Sequence, residues 1–243
     1  MCIRDRNKKA QYIRRIDGKL PLKLNQNFNR FKKKYIKKPL DVATRQASEM
    51  VINAISSTLP ELVGGSADLT GSNNTKGAKM GVINSTNYNG NYIYYGIREH
   101  GMASIMNGLS LHKGIIPFGG TFLIFLDYCK PSLRLAALMQ QRAIYILTHD
   151  SIGLGEDGPT HQPIEQLASL RATPNVKVFR PADLIETAEA WELALSNSKG
   201  PSVIALTRQK LPMIRNKYLA KNISAQGACL LYTSPSPRDV EES

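Results

Sequence analysis

The sequence predicts an α/β domain with a six-stranded, mainly parallel sheet and helices on both faces. Three observations predict it. From Val42 to Leu206, short β-branched or aromatic runs alternate with amphipathic stretches, punctuated by Gly, Pro and Asn; that alternation marks a parallel sheet with crossover helices. Six such runs can be counted, and most precede a helical pattern. A polar cluster follows each run, where open α/β sheets bind their ligands.

In chain order, residues 7–40 come first and are strongly basic. The stretch from Phe31 to Lys38 reads as a solvated linker. The first helix is marked by Ala47, Met50, Val51, Ala54 and Ile55, which follow an i, i+3, i+4 stripe, and Pro60 closes it. Strands are expected at Leu62 to Gly64, Tyr92 to Tyr95, Ile115 to Phe118, Ile144 to Thr148, Val176 to Phe179 and Val203 to Leu206. Between them, Met102, Ile105, Met106 and Leu109 form one helical stripe, and Pro163 suits a first turn ahead of Ile164 and Leu167. Asp183 with Glu186 resembles a capping box. The loop from Gly71 to Gly90, rich in Asn, Ser and Gly, is too long for a plain turn and is expected to be functional or mobile.

Composition excludes several function classes. The formal charge is +13, but residues 1–40 carry 14 Lys and Arg against 2 Asp, which leaves 18 basic and 17 acidic groups in the rest. The basicity belongs to the leading segment, with few aromatics interleaved for base stacking, so no nucleic-acid partner is expected. The longest apolar runs, Phe122 to Leu126 and Ala143 to Leu147, are far short of the roughly 20 residues that span a bilayer, and no membrane partner is expected. The N-terminus places charges where a secretory signal needs an apolar core, so a cytoplasmic enzyme is the default. Cys2, Cys129 and Cys229 form no disulfide framework, and the four histidines share no metal-ligand spacing with them.

The polar clusters are SADLTGSN, GIREHGM, GGTF, THDSIGLGEDGPTH, RPAD and TRQ, each after one run. Any one of them alone is ordinary turn chemistry. Together with VATRQASEMVINAI, and in this order and spacing from Pro39 to Leu211, they resemble transketolase, with GEDGPTHQPIE and REHGM as the specific signature. The resemblance implies the pyrimidine domain of the thiamine diphosphate-binding fold over residues 41–222, with residues 7–40 as a basic interdomain linker. Residues 1–6 and 229–243 have no counterpart and are expected to be read-through of sequence that is not the gene's own.

What the family's residues do is carried over position by position. Glu99 matches the carboxyl group that hydrogen-bonds the cofactor's aminopyrimidine and drives its tautomeric shift, though a plain helix-start or ion-pair role would also suit it. Phe122, Phe125 and Tyr128 match aromatic residues that pack on that ring, and their spacing of three would equally suit a core stripe. Asp68 matches a residue near the cofactor at a subunit interface. Arg45, Ser72, His149 and Arg208 match residues that bind the substrate phosphate, for which the guanidinium fork is suited. Asp157 and His161 match residues at the sugar hydroxyls and carbonyl, and His161 can exchange protons at neutral pH.

The implied reaction moves a two-carbon ketol unit from a ketose phosphate to an aldose phosphate. The implied cofactor is thiamine diphosphate with Mg2+ or Ca2+. The family's GDG motif for the diphosphate and metal is not found here, and no metal ligand is assigned in this chain. The resemblance implies that the cofactor is held against the first domain of a second subunit, so a homodimer is expected, and the chain by itself is expected to show no turnover. Rival readings are a related thiamine enzyme, deoxyxylulose-phosphate synthase or a pyruvate dehydrogenase beta subunit, and a noncatalytic basic binding module.

Overall fold

A computed structural model describes residues 3–227 of the chain. Met1, Cys2 and the expected read-through tail at 229–243 lie outside the described residues. Six strands, β1 (Leu62–Ser66), β2 (Tyr92–Tyr94), β3 (Ile116–Phe122), β4 (Ile144–Thr148), β5 (Lys177–Phe179) and β6 (Ser202–Leu206), pair in parallel in the order β2-β1-β3-β4-β6-β5. The strands expected from sequence are all present. β3 differs most: it runs on through Gly119, Gly120 and Thr121, which had read as a loop. The glycines permit this because Cβ atoms there would lie 2.5 Å from Met106 Sδ and 2.5 Å from Thr75 Cγ2. Met106 and Thr75 therefore pack close against β3 where a side chain at Gly119 or Gly120 would force them to shift.

Alternation along β4 builds two cores. Ile144 and Ile146 face a cluster containing Val51, Ile52, Ile55, Ala188 and Trp191, from helices α3 (Thr44–Ile55) and α8 (Leu184–Ser196). Tyr145 and Leu147 face Met102, Met106, Leu126, Cys129 and Leu133, from α5 (Glu99–His112) and α6 (Leu126–Leu138). The period of two in a fully buried strand is why helices occupy both faces. Trp191 Nε1 donates to Ser48 Oγ at 2.8 Å, giving the buried indole its partner. The capping box forms at α8, with one shift. The Asp183 carboxylate accepts from the Glu186 N–H at 2.8 Å, while Glu186 reaches the N–H of Ala182 instead of that of Asp183.

Three local expectations are corrected. Residues 7–40, expected as a basic linker with a solvated run from Phe31 to Lys38, lie mostly in two helices, α1 (Ile3–Ile16) and α2 (Lys23–Lys37). Leu24, Phe28 and Phe31 are buried at i, i+4, i+7 spacing, so α2 joins the core despite its charge. Ile105 is 48% exposed, because the buried arc of α5 is centred between Met102 and Ala103 and extends to Met106 and Asn107. Pro163 precedes its helix, α7 (Gln166–Ala172), by three residues and Ile164 is exposed. The long polar loop contains the short helix α4 (Thr70–Asn73) and is pinned where Asn53 Oδ1 accepts from the Ala78 N–H at 2.7 Å.

Charge also ties α2 down. The buried Lys32 ammonium donates to Glu189 Oε1 and to the Ala220 carbonyl, each at 3.2 Å, and Glu189 Oε2 accepts from Arg215 at 3.2 Å and from the Ser224 hydroxyl at 2.8 Å. Lys32→Met leaves Glu189 with Arg215 but strips one buried oxygen of its partner. Breaking a buried pair costs about 3–5 kcal/mol, and the remaining arginine puts the expected loss near the lower end, read as a fall in ΔG from urea unfolding. A loss under about 0.5 kcal/mol, the range of surface substitutions, would mean that α2 does not depend on this pair.

Candidate active site

The site is built on the carboxyl ends of the strands, beside the point where β1 pairs with β2 on one side and β3 on the other. A cavity of about 380 Å³ is lined by Arg45, Ser72, Phe122, His149, Asp157, His161 and Arg208. These seven come from α3, α4, β3, the loop after β4 and the segment after β6. All were singled out from sequence. Asp68, Glu99, Phe125 and Tyr128 do not line this cavity.

Two buried threonines hold the arginines together. The Thr44 N–H donates to Thr207 Oγ1 at 3.1 Å, and the Thr207 N–H donates to Thr44 Oγ1 at 2.8 Å. Their hydroxyls lie 3.2 Å apart, and Thr207 Oγ1 also donates to the Gln209 carbonyl at 2.9 Å. Each threonine precedes one arginine, so this clasp fixes Arg45 on the first turn of α3 beside Arg208 at the end of β6. Arg45 Nη1 donates to the Ser72 carbonyl at 2.5 Å, and its buried Nε has no partner among the described residues. Burial lowers the Arg45 pKa, and the nearby Arg208 charge lowers it further, while Asp157 opposes them. Two close guanidiniums with unused donors are a receptor for an anion.

His149 stands at the centre. Its backbone is left-handed at φ 59° and its ring lies on Phe122, with centroids 3.8 Å apart. Burial is the main cause pushing its pKa down to about 4; Arg45, Arg208 and His161 add to the depression, and Asp157 opposes it. The imidazole is therefore neutral at pH 7. His161, half-buried, faces Phe122 and Phe125 edge-on at 5.8 and 5.4 Å. Asp157 is carried by the same loop, which packs against the segment after β6: a Cβ on Gly153 would lie 2.8 Å from Gln209 Nε2. The loop's start is fixed by Arg180 Nε donating to Asp150 at 2.7 Å.

An aromatic row leads away from the cavity. Phe122 and Phe125 stack at 5.6 Å, and Phe125 and Tyr128 follow at 5.8 Å. This is not the core stripe that the spacing alone would suit: Phe122 is buried, but Tyr128, in the first turn of α6, is 64% exposed. Glu99 is the first residue of α5, half-buried, and near enough to α6 that its charge, after burial, helps raise the Cys129 thiol to about 12. Asp68 is exposed in the turn after β1 at φ 61°, a conformation Asp tolerates better than most residues. Among the described residues no three of His, Cys, Asp and Glu gather as a metal site, and no helix is long and apolar enough to cross a membrane.

Thr44, Thr207, Asn73 and Thr148 were not singled out from sequence, although all lie within the clusters that were. Their signal was present only as Thr next to Arg or His, and as a buried Asn in SADLTGSN, patterns with many other meanings.

Comparison with known proteins places this geometry. A family model described as "Transketolase, pyrimidine binding domain" matches residues 41–213. A transketolase of Sinorhizobium medicae is 52% identical over 238 residues, which is 98% of this chain and 34% of the relative. The transketolase of Pichia stipitis, in complex with sedoheptulose 7-phosphate, superposes with a TM-score of 0.79 at 44% identity, covering 86% of this chain and 31% of that one. A transketolase from Leishmania mexicana gives 0.77 at 46% identity, covering 84% and 30%. The chain spans about a third of the length of the curated relatives it matches.

Proposed function

This chain belongs to the transketolase family, and on that premise we propose that it supplies the pyrimidine-binding part of an enzyme that transfers a two-carbon ketol unit from a ketose phosphate to an aldose phosphate. The observation that carries the reading is the convergence of Arg45, Arg208, His149, His161 and Asp157 on one cavity beside an aromatic row. Arg208 and Arg45 bind the phosphate, with Ser72 at their side. Asp157 and His161 lie on the loop that closes over the sugar, where they orient its hydroxyls and hold a proton at the carbonyl end. The Pichia stipitis relative, described with a sugar phosphate, supports that ligand class.

The residues fit thiamine diphosphate. Phe122, Phe125 and the exposed Tyr128 offer ring surface to a planar group, and the half-buried Glu99 at the start of α5 is near enough to α6, which carries Tyr128, for its charge to act on Cys129. When bound, that cofactor supplies an acidic carbon that can attack a sugar carbonyl. Glu99 keeps a proton shared with the pyrimidine, and the aromatic row orients the ring and excludes water from it. The diphosphate and its Mg2+ or Ca2+ are assigned to a first domain outside this chain, contributed by a second subunit. Ile97, Ile105, Tyr128, Leu135 and Leu138 are all exposed on or beside α5 and α6, which supports a partner covering that face. A cytoplasmic setting belongs to the same proposal.

Donor choice tests this reading against its thiamine-dependent rivals. In the complete enzyme that contains this domain, xylulose 5-phosphate is expected to serve as donor and pyruvate is not. Turnover of pyruvate with none of xylulose 5-phosphate would overturn the assignment.

A further inference from the structure

His149 is wired to the sheet through a chain of hydrogen bonds whose direction can be read from its far end. The Gly120 carbonyl can only accept, so the Ser66 hydroxyl at 3.0 Å gives it its single proton. Toward Asn73, Ser66 is then an acceptor, and Asn73 turns its Nδ2 to it at 3.1 Å. That leaves Asn73 Oδ1 to accept from the Thr148 hydroxyl at 2.7 Å. Thr148 has no second proton, so its 2.9 Å contact with His149 Nδ1 is a hydrogen bond only if Nδ1 carries the proton. Ser66, Asn73 and Thr148 are buried, which shields these bonds from bulk solvent. A neutral His149 protonated at Nδ1 has a bare lone pair at Nε2.

We propose that Ser66, Asn73 and Thr148 are positioning residues that hold the His149 proton on Nδ1 and present Nε2 to the cavity as an acceptor, so that a phosphate monoester enters the site together with one proton. This rests on the phosphate reading of the cavity. The oxygens of a phosphate dianion carry lone pairs only, and one facing Nε2 would meet another lone pair. One proton taken from solution and shared between Nε2 and a phosphate oxygen turns that repulsion into a charge-assisted hydrogen bond. No bond is made or broken beyond that transfer. The groups around the ring are Arg45 from α3, Arg208 after β6, His161 and Asp157 from the loop after β4, and the uncharged Phe122 from β3. Before the phosphate arrives, the three basic neighbours and burial keep the ring neutral; its negative charge reverses that balance.

The bound state then holds one more proton than the free protein and free dianion. Affinity must fall as pH rises above the second phosphate pKa of about 6. Titration calorimetry on the complete enzyme tests this with glycerol 3-phosphate, a monoester with no carbonyl to react, in buffers of different ionisation enthalpy between about pH 6.5 and 8.5. Wild type is expected to take up close to one proton per bound ester above about pH 7, with Kd rising nearly tenfold per pH unit. Thr148→Val and Asn73→Ala release the ring proton to Nε2, so uptake is expected to fall below half and the slope to flatten, while Thr148→Ser retains both. The slope should vanish in His149→Asn and persist in His161→Asn. Binding without proton uptake in wild type, or wild-type uptake in Thr148→Val, overturns the proposal and leaves the phosphate reading standing. No binding to wild type sinks the phosphate reading and proton carriage with it. The ring-nitrogen NMR shifts of His149 then decide the relay separately, and a proton on Nε2 in wild type overturns it.

Discussion

Glu99→Gln in the complete enzyme is expected to lower turnover by about 10²- to 10⁴-fold, the usual worth of a positioned proton-transfer group, while the fold is retained. Glu99 opens α5 as its only first-turn acid, so the same substitution also removes a charge from a helix N-terminus. That effect is worth about 0.3–1 kcal/mol. It is too small to unfold a domain of ordinary stability, about 5–15 kcal/mol, so a large loss of turnover in a protein of unchanged circular dichroism cannot come from the dipole. The direct measurement is proton exchange at the acidic carbon of the bound cofactor, which an amide in place of the carboxyl group should slow. Exchange and turnover equal to wild type would leave Glu99 as a helix-start residue and nothing more.

Arg208→Ala should reduce kcat/KM for phosphorylated substrates by roughly 10- to 100-fold relative to their unphosphorylated analogues, from a charge-assisted hydrogen bond worth about 1.5–3 kcal/mol. Of the two arginines it is the cleaner choice. Arg45 is committed to the Ser72 carbonyl and partly buried, so its loss would also disturb α4. Arg208 is exposed and, among the described residues, makes no hydrogen bond of its own. The ratio between the two substrates cancels effects on the reacting carbon, and it holds whether the loss appears in KM or in kcat. Equal losses for both substrates would make Arg208 structural and would weaken the phosphate roles of Arg45 and His149 with it.

Strand positions were legible because each apolar run carries its own signal, and β4 and β6 read true almost to the residue. The end of β3 was not, since Gly119 and Gly120 look like a turn until Met102, Met106, Thr75 and Asn73 are known to pack on them. The helix α2 was hidden by its charge: Leu24, Phe28 and Phe31 make a narrow stripe among lysines, and Lys32 gives no sign that its partner is Glu189, 157 residues away. The convergence of the cavity residues could be anticipated because six polar clusters fall at the same end of six parallel strands. What escaped was the layer behind them. Asn73 finds Thr148 across 75 residues and Thr44 finds Thr207 across 163, and no local pattern encodes either pairing.

The Thr44–Thr207 clasp has a bearing on biosynthesis. Arg45 leaves the ribosome long before Arg208, and the contact that sets them side by side closes almost the whole domain, from the start of α3 to the end of β6. The pair of guanidiniums is thus not assembled in a nascent chain until that last strand has docked between β4 and β5. A phosphate ester bound by the two arginines, as proposed above, would favour the finished domain over its precursors and stabilise the closed form by mass action.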